Sequence, residues 1–433
     1  MNRWLVIPLF LFLLGCNDKT PESFFTAEKA TQYFKEVKEI CDRDNGKLWG
    51  KNLYGPLVYI DRVSRKIIAN QPDSDGLLKL KDGVYIGLYP KEQIINNAIV
   101  EFGGTRFAAV TLPSTEDAYF IRTRAVRGLF HRFQQEAGIM PSAFNITAMD
   151  KRESRLWIKL EWRALRKAIA SSGEERELAV RDALIFRHAN RNFSSGDSAE
   201  ETRFENYEGL STFTFILLAT NSPDEFKEKL FDYLDWVYSF QSYARSYGFV
   251  HGALYSTLLN EKGFDFKSIN SDTIDLGNKV REVYSIELPD ICRDVAGSLA
   301  MNYGIDGIYK EEELRLAEIK ESIHEQIGIF TEKPVVFLEL RSPYFNFEPE
   351  NIHSLDTLGT LYSAIRVSDN WGKLTVDKGG CLVSNNFKYI RITAKSLKED
   401  KNHIGGDGWN LLLNDGWEMV KVNENYFIRT FMP

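Results

Sequence analysis

Three groups of side chains stand where their types and spacing could do chemistry. Cys16 follows a cationic start at Arg3, an unbroken apolar run from Trp4 to Leu14, and Gly15. The order Leu13-Leu14-Gly15-Cys16 is that of a signal segment cut before a cysteine whose thiol is then acylated. The run is too short for a bilayer core, which takes about 20 residues. In the stretch AVRGLFHRFQ, Arg127 and His131 are four residues apart, so a helix would carry a guanidinium and an imidazole on one face. Further on, ENYEGLSTF supplies the carboxylate of Glu208, with Glu200, Glu201 and Glu205 close by. Taken alone, His131 reads as a core histidine donating to a backbone carbonyl, and Glu208 as one charge of a solvated helix face.

The chain has 433 residues, 43% of them hydrophobic, which is enough for a large core and favours more than one domain. The net charge is -7 and the Lys and Arg residues are scattered, so a nucleic-acid partner is disfavoured. Besides Cys16 there are Cys41, Cys292 and Cys381, too few and too widely spaced for a zinc knuckle or a disulfide framework. Residues 1–15 are expected to be the signal segment and 16–25 a polar tether to a lipid-bearing membrane. The body is thus expected in the cell envelope, outside the cytoplasm.

Between Thr26 and Asp44, Ala30, Tyr33, Phe34, Val37, Ile40 and Cys41 recur at helical spacing, with Thr26 as N-cap. From Leu57 to Pro113, runs such as LVYID, GVYIGLY, AIVEF and RFAAVTL alternate with turn signals, including Gly103-Gly104, and predict a small sheet with a hairpin. From Asp117 to Phe330 the pattern is helical, with breaks near Asn145, Gly173, Ser194, Pro223, Gly263 and Pro289. After Pro334 it returns to strands, among them VVFLEL, LYSAIRV, KLTV, YIRITA and YFIRTF. The expected class is α+β: a small N-terminal sheet plus a helical lobe over 26–330, then a β-rich domain over 331–433. In that domain Trp371, Trp409 and Trp417 read as core rather than as a binding platform.

The order of sheet, AVRGLFHRFQ helix and later ENYEGLSTF helix resembles a thermolysin-type zinc peptidase of the zincin kind. More closely, the chain is similar to secreted bacterial proteins whose motif helix reads HELFHRxQ and whose ligand helix reads N-E-G-L-A. The resemblance runs from about Leu48 to Leu259 and is carried by NNAIVEFGGTRFAAVTLP, GLFHRFQ, RLWIKLEWRAL, DALIFRHANR, NYEGLSTFT and HGALYSTLLN. It implies a site in which two histidines at i and i+4 and a later glutamate hold zinc, and a glutamate beside the first histidine activates water.

Carried over by position, His131 is the second histidine and Glu208 the later carboxylate, but Arg127 stands at the first histidine and Gly128 at the catalytic glutamate. A guanidinium has no lone pair for zinc, and glycine has nothing to accept a proton. The expectation is therefore a relict metal site of Arg127, His131 and Glu208, with no zinc, in which Arg127 supplies the counter-ion that Glu208 would otherwise lack. Such a protein would bind a peptide or protein partner instead of cutting it. Two alternatives stay open: an active zinc peptidase using His131 and Glu208 with His188 or His251, and a structural or assembly lipoprotein that works through its C-terminal domain. Tyr255 is a further accessory position, for steadying an oxyanion. Glu161 is expected to pair with Arg163 or Arg166.

Overall fold

The structure is a computed structural model that describes residues 25–431 except 63, 91–92, 94, 96–98, 113–117, 142–143, 194–197, 290–291, 348–351 and 356. Cys16 and the apolar run before it lie outside the described residues. The class is α+β. Helix α1 (Ala27–Asp44) begins where Thr26 accepts from the Lys29 amide, and it buries the six residues whose spacing predicts it. The chain enters the core one residue before that cap. Phe25, counted in the tether by its position, is buried, and its ring packs against Tyr33 and Tyr59.

Strands β1 (Leu57–Asp61), β2 (Lys66–Ala69), β3 (Lys79–Lys81), β4 (Val84–Leu88), β5 (Ile99–Phe102) and β6 (Thr105–Leu112) form one sheet in the order β3-β4-β2-β1-β6-β5. β1 and β6 are parallel, and the other neighbours are antiparallel. The β5–β6 hairpin turns at Gly103 and Gly104, with φ of 53° and 68°. A side chain at Gly103 would also run into Asp73, 2.1 Å from where its Cβ would stand. The sheet is buried on both faces: Leu57, Tyr59, Ala108 and Val110 join the helical core, while Val58, Ile60, Phe107 and Ala109 belong to a second cluster. This explains why β1 and β6 read as continuous apolar runs rather than as clean alternations.

Helix α2 (Ala118–Glu136) lies against β6, and the chain continues through α3 (Arg152–Ala170) and α4 (Gly173–Phe193). Then come α5 (Ser198–Phe204), a single wide π turn (Glu205–Gly209), α6 (Leu210–Ala219), α7 (Pro223–Tyr238) and α8 (Tyr247–Glu261). Helices α9 (Leu276–Val283), α10 (Cys292–Ala300) and α11 (Ile305–Thr331) complete the lobe. No helix among the described residues is long and apolar enough to cross a membrane. The thiols of Cys41, Cys292 and Cys381 are buried and unbridged.

α11 is fastened to α3 by a fully buried carboxylate, Glu312. It accepts from Arg155 Nε at 2.9 Å and from Arg315 Nε at 2.6 Å, and Lys159 Nζ lies 2.9 Å away. The end of α11 then changes company. Phe330 packs with Val335, Leu355, Leu361 and Leu382, and strands begin after a gap of three residues. The C-terminal strands form a seven-stranded and a six-stranded sheet around a core that includes Trp371 and Trp409, both buried as expected. Trp417 is only partly buried at the edge of that core. LYSAIRV is not one strand but two. Thr360–Tyr362 belongs to the larger sheet and Ile365–Asp369 to the smaller, because the chain crosses between sheets at Ser363 and Ala364.

Candidate functional site

Arg127, His131 and Glu208 converge. Arg127 and His131 share one face of α2, and Glu208 reaches them from the π turn. Arg127 Nη2 donates to Glu208 Oε2 at 2.6 Å, Arg127 Nε donates to His131 Nε2 at 3.3 Å, and that nitrogen is 3.6 Å from Glu208 Oε2. The guanidinium thus fills the centre on which the imidazole and the carboxylate are aimed. Its Cζ lies over the Phe249 ring, 4.9 Å from the centroid.

The imidazole is fixed by groups that periodicity alone did not single out. His131 Nδ1 is 2.8 Å from Gln134 Oε1, and the Gln134 amide donates to the carbonyls of Asn206 and Tyr207, each at 3.0 Å. Because the Gln134 nitrogen is committed to carbonyls, its oxygen must accept, so Nδ1 carries the proton and Nε2 presents a lone pair. Ser211 Oγ lies 3.4 Å from Nε2, and the Tyr207 ring stacks on the imidazole at 4.6 Å. Burial disfavours the imidazolium. Glu208 opposes this and Arg127 adds to it, leaving the His131 pKa lowered to about 4, so the ring is neutral at pH 7. For Arg127, burial works against the cation, but the Glu208 carboxylate prevails and holds the pKa above its ordinary value.

Gly128 has a packing role. A Cβ there would stand 3.1 Å from the Ala108 Cβ on β6, so the missing side chain lets α2 lie close against the sheet. The zinc that the zincin resemblance implies does not fit these residues. A hydrogen-bonded guanidinium occupies the position of the first histidine, and no group of three or more His, Cys, Asp or Glu suited to a metal ion occurs among the described residues.

The accessory positions are engaged elsewhere. His188 is exposed on α4. His251 and Tyr255, on α8, are fully buried in a second polar network. There His251 Nδ1 accepts from the Trp162 indole at 2.9 Å, and its Nε2 is 2.9 Å from Glu161 Oε1. Tyr255 donates to the same Glu161 oxygen. Glu161 therefore does not pair with Arg163 or Arg166, which bind Glu311 and Asp235 instead. Arg187 grips both oxygens of Glu205 at 2.8 Å. Asp275 completes the network, its carboxyl held far below the ordinary range because Arg187 and Arg191 outweigh its burial.

Glu205 and Glu208 sit on the same π turn, one facing the buried network and the other facing Arg127. The turn lies hard against α8: a Cβ on Gly209 would come within 2.5 Å of the Gly252 Cα. Gln134 falls at the final Q of the HELFHRxQ pattern that the motif helix resembles, whereas the spacing offered Glu205 only as a helix-face charge and did not mark Arg187. No family model, no curated protein and no solved structure matches this chain.

Proposed function

We propose that the protein is a lipid-anchored envelope protein whose zincin-like lobe binds a peptide or protein segment without hydrolysing it. The observation that carries this reading is the position of the Arg127 guanidinium between His131 and Glu208, with Gly128 in place of a general base. A metal-bound water needs both an ion and a proton acceptor, and these residues provide neither. A peptide has a place to add because β5 is the edge strand next to β6, against which α2 lies. Its Ile99 pairs with Ala108, the residue that Gly128 touches, so an extended peptide could add to that edge by backbone hydrogen bonds.

The test is metal analysis of untagged protein together with a peptide-hydrolysis assay in the presence and absence of chelator. The expected result is no stoichiometric zinc and no turnover. Chelator-sensitive hydrolysis with one bound zinc per chain would replace this reading with that of an active peptidase. For the anchor, Cys16→Ser is expected to move the protein from the membrane fraction to the soluble one.

A further inference from the structure

A guanidinium has two edges, each with a parallel pair of N–H donors, and Arg127 uses only one. Its side edge, Nε and Nη2, is spent on His131 at 3.3 Å and Glu208 at 2.6 Å. Its end edge, Nη1 and the second Nη2 hydrogen, makes no hydrogen bond among the described residues, and the side chain is 31% exposed. The unused pair points away from its own anchors and is held in place by them and by Phe249. A fork fixed in this way matches a carboxylate, which accepts two parallel hydrogen bonds.

The helix that carries Arg127 and the helix that carries its neighbour Tyr233 each expose an aromatic ring. Phe120, on the same face of α2 two turns before Arg127, is 48% exposed, and Trp236 on α7 is 51% exposed. Trp236 packs on Tyr233, which packs on Phe215, so the half-exposed indole is rigidly backed. Tyr233 itself is close enough to feel the Arg127 charge.

We propose that the free end of Arg127 receives a peptide carboxylate adjoining a large apolar side chain, which rests against the Trp236 or Phe120 ring. This rests on the peptide-binding reading above and specifies its ligand. The shared chemistry is the carboxylate, whether it ends the chain or belongs to an acidic side chain. Glu208 and the ligand would share the one cation across adjacent edges, so each hydrogen bond to the ligand remains charge-assisted.

The experiment measures fluorescence anisotropy of labelled hexapeptide mixtures with a Phe or Leu at the last position. Three forms are compared on the full soluble chain: free C-terminal acid, C-terminal amide, and amide with a Glu at the fifth position. The acid is expected to bind about tenfold or more tightly than the plain amide. The Glu-containing amide shows which source of carboxylate is preferred. Arg127→Lys keeps the charge but loses the fork, and is expected to bring acid and amide within about twofold of each other. Equal binding of acid and plain amide by the native chain overturns the proposal and leaves the peptide-binding reading intact. Absence of binding by every form overturns both, and because the first comparison uses the native protein, it does not depend on the folding of the variant.

Discussion

His131 ties the site to acidity. Its folded pKa of about 4 lies below the unfolded value of 6.5. Between those values the unfolded chain takes up a proton that the folded chain refuses. The stabilising effect of keeping the ring neutral is therefore complete above pH 6.5 and is lost as pH falls toward 4. The difference is of order 3 kcal/mol. Urea unfolding at pH 7 and pH 4.5 is expected to show a steeper loss of stability for the native chain than for His131→Gln, which has nothing to protonate. Equal losses would mean that the ring is not held neutral. The pairing of Arg127 with Glu208 was legible at this scale, because Arg127 stands one helical turn before His131 and a half-buried carboxylate facing that pair gains most from a cation. The tautomer was not legible, since it depends on which atoms of Gln134 the carbonyls of Asn206 and Tyr207 leave free.

The element that matters most is the π turn between α5 and α6, because it aims Glu205 and Glu208 in different directions. Glu205→Gln removes one partner of a buried, two-pronged ion pair and leaves Arg187 short of charge. It is expected to destabilise the fold by about 3 kcal/mol, read from the urea midpoint. The same substitution should weaken the peptide binding proposed at Arg127, although Glu205 does not touch that site, because the turn that carries Glu208 loses its anchor. Sequence periodicity located α5 and α6 as one helical stretch and could not show the widened turn. The turn coincides with a tertiary contact, the close approach of Gly209 to Gly252, which no local pattern encodes. The error at Glu161 has the same origin. Arg163 and Arg166 are its neighbours in sequence, but they lie on the face of α3 that meets α7 and α11, while Glu161 points to α8.

At the scale of the whole molecule, the order of sheet, helices and strands was readable because apolar periodicity changes sharply near Pro113 and again near Pro334. The strand count of the C-terminal region was not, because short strands that cross between sheets look like single longer ones. Nor did sequence show what holds α11, since Glu312 and its cations Arg155, Lys159 and Arg315 are spread over more than 150 residues of chain. Glu312→Gln is expected to lower stability by about 3 kcal/mol or more, since three cations would share a buried neutral amide. A thermal melt of the variant should separate into two steps, with the C-terminal strands, which have their own core, melting last.

That fastening also has a mechanical meaning. Only Glu332, Lys333 and Pro334 separate the end of α11 from the strand that begins at Val335, so a tug on the last hundred residues runs straight along the α11 axis and arrives at Glu312. Ion pairs between crossing helices resist sliding until they break and then offer little. A load entering from the C-terminal strands is therefore met in the helical lobe by this charged rivet.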